Sequence, residues 1–507
     1  MENICLIGVD VGTSATKVVA FDTAGNVLAE HAVEYPLYQP HNGWAEQDPD
    51  DWVNASLESL SAVVKAVKGR RVAGVGVSGQ MHGLVMLGED MKPLRRSIIW
   101  CDQRTVKECE EMTDKVGKER LFEITCAPAM TGFTASKLMW IKNNEPENFA
   151  KCKHMLLPKD YVRYCLTGTL YMDYSDASGT QLLDIKNRCW SKDVCGALGI
   201  DMSILPTLCD SCASCGNITE EMVRRIGLDE TCPVAAGAGD NASAAVGCGV
   251  VEDGDAFATI GTSGVVFAPT DEIKLDPDGR VHTFCSAVPN QWHLMGVVQA
   301  AGLSLKWIKD NICADISENA VKNGESSYVV IDKLASEIPI GSNGVMYAPY
   351  LMGERTPHLD PFARGAFVGL GGANDRSDML RATMEGVGYA LKDSLEIFAD
   401  LKVKPEKTVL CGGGAKSKLW RNMLTDIFST TTCTSSSTES CALGAAILAG
   451  VASGVYKNVK EGCDKTIFEN DILAPNATNA EIYNKYYNVF KKVYPALKEI
   501  NIELVNM

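Results

Sequence analysis

The sequence predicts an α/β protein of two domains, each a mixed sheet flanked by helices, with a cleft between them. Three observations carry that reading. The chain has 507 residues, too many for one hydrophobic core, which stops growing at about 250–300 residues. A short apolar strand, a Gly-Thr-Ser turn and a second apolar strand occur near residue 10 and again near residue 261, about half a chain apart. Between and after them, strand-like and helix-like stretches alternate, and glycine-rich loops end several of the strands.

Taken in order, residues 4–9 form an apolar run that enters Asp10, Val11, Gly12, Thr13 and Ser14 and returns through Lys17, Val18, Val19, Ala20 and Phe21. This reads as a hairpin. Asp48 is placed to cap a helix opening at Pro49. Val53, Leu57, Leu60, Val64 and Val67 recur at helical spacing and predict its buried face. Residues 72–77 read as a strand ending at Ser78, Gly79, Gln80, Met81, His82 and Gly83. Residues 233–238 read as another, ending at Gly239, Asp240 and Asn241, with a small-residue helix that Asp240 would cap. Residues 257–267 form the second hairpin around Gly261, Thr262, Ser263 and Gly264. Val409 and Leu410 lead through Cys411 into Gly412, Gly413 and Gly414, before a helix over residues 419–428. Ile482, Tyr486, Val489, Phe490 and Val493 predict a packing helix. The split falls near residue 250, giving domains 1–250 and 251–507.

Composition narrows the class. Hydrophobic residues make up 46% and charged residues 22%, ordinary for a globular chain and unlike a disordered one. With 48 Lys+Arg against 64 Asp+Glu the net charge is −16, so nucleic acid is not an expected partner. No apolar run reaches the roughly 18 residues that span a bilayer, so no membrane partner is expected. Residues 1–12 show no basic leader or cleavage site, and a cytoplasmic location is expected. Cys209, Cys212 and Cys215 have spacing that can hold zinc or an iron–sulfur cluster. The next cysteine, Cys232, is too far along for a compact fourth ligand. The 19 cysteines therefore read mainly as small buried residues.

The strand ends carry the chemistry. In Asp10-x-Gly12-Thr13, glycine allows a tight turn and close approach, and the following N–H and hydroxyl groups suit phosphate oxygens. Asp10 suits Mg²⁺. Repetition of such loops at residues 261–264 and 412–414 points to a nucleotide held between two domains. Asp240 reads either as a helix cap or as a base for an alcohol, with an unperturbed pKa near 4. His82 reads as a core histidine or a pocket contact. No Gly-x-x-x-x-Gly-Lys-Ser/Thr run and no His-Glu-x-x-His motif occur, which excludes P-loop and zincin chemistry.

From about residue 4 to about residue 450 these segments resemble the FGGY family of carbohydrate kinases. The stretch from Gly132 through Phe133, Thr134, Lys137 and Trp140 to Ile141 is similar to the first family signature. Gly365 to Leu370, continuing to Asp378 and Glu385, is similar to the second. The blocks around Met81–His82, Pro158–Lys159–Asp160, Ser175–Asp176 and Glu354–Arg355–Thr356 resemble the members that act on D-xylulose. The resemblance implies two actin-like ATPase (ribonuclease H-like) domains and ATP-dependent phosphorylation of D-xylulose with Mg²⁺. Gluconate or ribulose are alternative substrates, and a non-kinase actin-like ATPase is the more distant alternative. It implies Asp240 as the catalytic proton acceptor, and Met81, His82, Trp100 and Asn241 beside the sugar. It implies Asp10, Gly12, Thr13, Ser14, Lys17, Gly261, Thr262, Gly302, Gly412, Gly413 and Gly414 around ATP, with Asp10 on the metal. Partners beyond sugar and nucleotide would be a second copy of the chain, as family members are often dimers. Met81–His82 stand where glycerol kinases have Arg-Glu. Cys101 replaces the usual Asn after Trp100, and the segment around Tyr35 and Trp44 also resembles gluconate kinases.

Overall fold

The computed structural model describes residues 3–507, apart from the side chain of Val321; Met1 and Glu2, the start of the expected leader-free N-terminus, lie outside the described residues. The first sheet opens with strands β1 (Ile4–Val11), β2 (Ala15–Asp22) and β3 (Val27–Glu34). Helix α1 (Pro49–Ala66) follows, with Asp48 accepting from the Asp50 N–H at its start and Pro49 in its first turn. Leu57, Leu60, Val64 and Val67 are buried as the spacing predicts, and Val53 packs half-buried at the edge. Strand β4 (Arg71–Gly79) and helices α2 (Thr134–Asn144) and α3 (Pro158–Thr167) come next, then β5 (Ser214–Asn217), β6 (Pro233–Ala235) and β7 (Ala238–Gly239). The sheet order is β5-β6-β4-β1-β2-β3, with β7 pairing on β4. One strand was expected over residues 233–238. The chain instead breaks at Gly237, where φ is +78° and an added Cβ would lie 1.7 Å from the Val77 carbonyl oxygen.

Helix α4 (Asp240–Gly247) leads into the second sheet: β8 (Asp255–Ile260), β9 (Gly264–Thr270), β10 (His282–Cys285) and β11 (Trp292–Val298). Helices α5 (Gly302–Asn311), α6 (Ser327–Ser336) and α7 (Arg376–Asp400) precede β12 (Lys407–Cys411). Helix α8 (Lys418–Phe428), β13 (Thr431–Ser435), helix α9 (Ser440–Ala452) and β14 (Glu469–Leu473) complete it, in the order β10-β11-β9-β8-β12-β13-β14. The two sheets share a plan. In each, a hairpin (β1–β2, β8–β9) is joined on its first strand by a parallel neighbour (β4, β12).

Helix α10 (Ala477–Phe490) packs on the second core through Tyr483, Tyr487 and Phe490. Of the expected face, Phe490 and Val493 are buried, Ile482 and Tyr486 are half-buried, and Val489 is exposed. The buried row thus lies one residue further along than expected, because Tyr483 and Tyr487 reach Arg381 and Asp393 of α7 with their hydroxyls.

Of the contacts that cross the halves, one is backbone against backbone. Helix α9, from the second half of the chain, lies against α4, β1 and β4 of the first. A Cβ on Gly444 would sit 1.9 Å from the Ser243 carbonyl oxygen, and one on Gly8 would sit 1.8 Å from that of Ala442. The contact is backbone against backbone, which only glycine allows at that distance.

Candidate active site

Asp10 lies one residue before the end of β1, directly beside Ser78 of the parallel strand β4 and opposite Lys17 of β2. Its Oδ1 is buried without a hydrogen-bond partner. Burial, and secondly the nearby Asp240 carboxylate, push its pKa up to about 7. Among the described residues this is a carboxylate short of a counter-charge. Lys17, expected at the nucleotide, pairs with Glu30 at 3.1 Å and with Glu439 at 2.8 Å.

The turn that follows is held from several sides. The Gly12 N–H donates to the Ala15 carbonyl at 3.0 Å, and its own carbonyl accepts from the Tyr35 hydroxyl and from Gln80 Nε2. Gln47 Nε2 donates to the Thr13 carbonyl at 2.7 Å. Trp100 donates from Nε1 to the Thr13 hydroxyl at 2.9 Å. Ser14 stays exposed at the tip.

Asp240 is not the helix cap. Gly239 occupies that position and Asp240 is the first residue of α4. Its Oδ1 accepts from the N–H of Asn241 at 2.7 Å and from Asn241 Nδ2 at 2.9 Å. Asn241 thereby fixes the carboxylate and leaves Oδ2 for another partner. The pKa near 4 expected from the residue type is also corrected. Burial raises it to about 6, against the lowering effect of the two Asn241 bonds. Asp240 is therefore a stronger base than an exposed aspartate.

Met81 and His82 stand on the loop after β4. A Cβ on Gly239 would meet Met81 Cγ at 2.9 Å and Asp176 Oδ1 at 3.2 Å, so both side chains border the strand end that presents Asp240. His82 has φ of +68° and its Nδ1 lies 2.9 Å from the Gly179 carbonyl. That contact assigns the proton to Nδ1 and leaves Nε2 as an acceptor. Burial, then the Lys137 ammonium, lower its pKa to about 3, so the ring is neutral. Phe133 packs on the ring at 4.2 Å between centroids. Lys137 of α2 donates to the His82 carbonyl at 2.8 Å and to that of Gly132 at 2.6 Å, fixing the loop.

Behind this surface lies a buried charge network that sequence reasoning assigned no role. Lys159 of α3 pairs with Asp160 at 2.7 Å, Asp173 at 2.8 Å and Asp176 at 3.4 Å, all fully buried. Ser175 accepts the Gly239 N–H at 3.2 Å, linking the network to the strand end before Asp240. Its signal in the sequence is the cluster of charged residues at positions that the helix and strand spacing makes internal.

A second region, a cleft of about 610 Å³, lies against the second sheet. It is lined by Gly261, Thr262 and Gly302, by Gly413 and Gly414, and by Tyr328, Asp332 and Trp420. Gly302 opens α5 and donates its N–H to the Gly261 carbonyl at 2.8 Å, joining helix start to hairpin turn. Gly412 lies behind the wall: its φ is +82°, and an added Cβ would lie 2.9 Å from the Ile260 backbone. Tyr328 and Asp332 were missed because nothing in their surrounding sequence marks a loop or strand end. Among the described residues no group of three or more His, Cys, Asp or Glu side chains is arranged around a metal. Cys209 and Cys215 approach to 3.6 Å, while Cys212 packs in a different core. Nor is any described helix long and apolar enough to cross a membrane.

Comparison with known proteins bears on both regions. The model of the FGGY family of carbohydrate kinases, N-terminal domain, matches residues 5–247, and that of its C-terminal domain matches residues 256–453. A xylulose kinase of Bacillus subtilis (strain 168) is 39% identical over 501 residues, 98% of either chain. The crystal structure of a ligand-bound xylulose kinase from Lactobacillus acidophilus superposes with a TM-score of 0.91 at 29% identity, covering 98% of both chains. That of a gluconate kinase from the same organism gives 0.91 and 29%, covering 97% of this chain and 98% of the other.

Proposed function

The chain belongs to the FGGY family of carbohydrate kinases, and from that membership we propose that it transfers the terminal phosphoryl group of ATP to D-xylulose, giving D-xylulose 5-phosphate and ADP. The observation that carries the choice of sugar is the 39% identity to a xylulose kinase along essentially the whole chain. Family likeness and the geometry together support the following roles. Asp240 accepts a hydrogen bond from the attacking hydroxyl on its free oxygen and takes the proton as the bond to phosphorus forms. Its pKa of about 6 keeps it ionised at neutral pH. Neutral His82 accepts a sugar hydroxyl on Nε2, Met81 packs on the carbon chain, and Trp100 and Asn241 close the pocket. The turns at Gly12–Thr13–Ser14 and at Gly261–Thr262 offer N–H and hydroxyl donors to the phosphates. The cleft at Gly302 and Gly412–Gly414 holds the adenosine. Lys17, opposite Asp10 and paired with Glu439 and Glu30, places a positive charge beside the first turn.

The Asp10 carboxylate, whose Oδ1 is buried without a partner, fits a divalent cation, and Mg²⁺ held there would neutralise charge on the phosphates. The lobes 1–250 and 251–507 close over both substrates and exclude water as a competing acceptor. The reading extends, on family likeness alone, to a cytoplasmic homodimer, which light scattering of the purified chain tests.

The rival substrate is gluconate, since a gluconate kinase superposes as well as a xylulose kinase. An ADP-release assay across D-xylulose, D-ribulose, gluconate and glycerol separates them. The proposal expects kcat/KM at least about tenfold higher for D-xylulose; a higher value for gluconate overturns it.

A further inference from the structure

Two cysteines that the proposed reaction does not use face each other where the halves of the chain meet. Cys248 closes helix α4, whose first residue is Asp240. Cys411 ends β12 and directly precedes Gly412. Their sulfurs lie 3.2 Å apart although 163 residues separate them in sequence. A disulfide has its sulfurs at about 2.05 Å, so roughly 1 Å of combined movement closes the gap. Cys248 is buried, whereas Cys411 keeps part of its surface open.

The surroundings distinguish this pair from the other cysteines near it. Cys441 and Cys463 also lie against α4, but their thiols point to backbone carbonyls, of Asp240 at 3.6 Å and of Val246 at 3.3 Å. The other close pair, Cys209 and Cys215, lies wholly within the first half. Only the Cys248–Cys411 contact, among the sulfur pairs of the described residues, joins the helix that carries Asp240 to the loop that lines the 610 Å³ cleft through Gly413 and Gly414.

We propose that Cys248 and Cys411 are a reversible oxidation site, at which hydrogen peroxide forms a disulfide that staples α4 to the nucleotide loop and arrests turnover. The more open Cys411 reacts first. Its thiolate attacks one peroxide oxygen, the O–O bond breaks, and the released hydroxide takes up the thiol proton as water, leaving Cys411 as a sulfenic acid. The Cys248 sulfur then attacks the Cys411 sulfur. The S–O bond breaks, the oxygen leaves with the Cys248 proton as a second water, and the S–S bond forms. Two thiols are oxidised and one peroxide is reduced to two waters. The hydrogen bond with Cys411 and burial hold the Cys248 thiol well above its usual pKa, which leaves the first attack to Cys411. The arrest follows from the motion that the link removes. In the lobe closure proposed above α4 moves relative to β12, and a covalent bond between their ends would forbid that shift.

The inhibition half of this proposal rests on the kinase reading; the chemical half does not. The purified full chain is treated with a small excess of hydrogen peroxide and mapped by mass spectrometry without reduction, in parallel with activity. A Cys248–Cys411 peptide is expected, with at least about a tenfold loss of turnover, both reversed by dithiothreitol. Cys411→Ser and Cys248→Ala should keep the activity of the untreated protein and resist peroxide, while Cys209→Ser remains sensitive. Absence of the linked peptide overturns the site. Equal peroxide sensitivity of the parent and both resistant variants, or a linked protein with full turnover, overturns its control of activity. A chain that links but phosphorylates none of the sugars tested refutes the kinase reading and leaves the site standing.

Discussion

Trp100 donates its indole N–H to the Thr13 hydroxyl over 2.9 Å, tying the segment assigned to the sugar to the turn assigned to phosphate. Trp100→Phe keeps an aromatic ring and removes the donor. A net hydrogen bond contributes about 1 kcal/mol, so kcat/KM should fall about fivefold for sugar and for ATP together. Initial rates with each substrate varied in turn check this. A change confined to one substrate would separate the two regions.

Asp240→Asn keeps the helix start, since Asn fits the same space, but it cannot accept the proton. Turnover should fall on the order of 10²–10⁴-fold while nucleotide still binds, as single-turnover rates and an ATP-analogue titration measure. In the parent, log kcat should rise with unit slope as pH increases to about 6 and level off above it, because the base works only when ionised. The residual rate of Asp240→Asn should lack that limb.

Asp10 makes an opposite prediction for stability. Its pKa is raised to about 7 in the folded chain, above the value near 3.9 of an unfolded aspartate. The folded state therefore holds the proton more tightly. Its disadvantage on ionisation is absent below about pH 4, grows between about pH 4 and 7, and is complete above about 7. Asp10→Asn should raise the Tm of the ligand-free protein at pH 8 by a few degrees and by nothing at pH 4. Added Mg²⁺ with ATP should stabilise the parent more than the variant. Thermal scans across pH would show this; a lower Tm for the variant at pH 8 would count against the unpaired carboxylate.

His82 adopts a positive φ that asparagine tolerates better than most residues. His82→Asn should therefore fold normally. It should raise KM for the sugar by about 10–100-fold with little change in KM for ATP. Because the ring is neutral down to about pH 3, sugar affinity should show no titration from His82 between pH 5 and 8.

Gly444→Ala places a methyl group 1.9 Å from the Ser243 carbonyl oxygen. Overpacking of this kind costs about 1–3 kcal/mol, and here both partners are backbone with little room to yield. Urea unfolding should show a midpoint lowered accordingly, with the unchanged far-UV spectrum of a folded protein.

Much of the architecture was legible because local rules and tertiary packing agree. The repeated glycine turns, the Asp48–Pro49 helix start and the strand before Met81–His82 each follow from a few adjacent residues. What was not legible depends on distant partners. Asp240 looks like a cap until Gly239 is seen to hold that place and Asn241 to hold its oxygen. Its raised pKa comes from burial by parts of the chain that lie far away in sequence. The tyrosine helix shifts by one residue because Arg381 and Asp393 bond the Tyr483 and Tyr487 hydroxyls. Gly412, Gly413 and Gly414 read as one loop, yet Gly412 serves the approach to Ile260 and only its two neighbours line the cleft. Tyr328 and Asp332 reach the same cleft from a helix whose sequence gives no hint of it.

The seating of α9 on β1 and β4 has a consequence for biosynthesis. Leu6, Val19, Phe21 and Ala73 wait for Ala442, Leu443, Ala446 and Leu448 to cover them. At 5–20 residues per second, the ribosome adds the intervening stretch after residue 247 in about 10–40 s. Throughout that interval the emerging half-protein carries an uncovered greasy face, so chaperone binding to nascent chains should peak there and fall once residues 440–452 leave the exit tunnel.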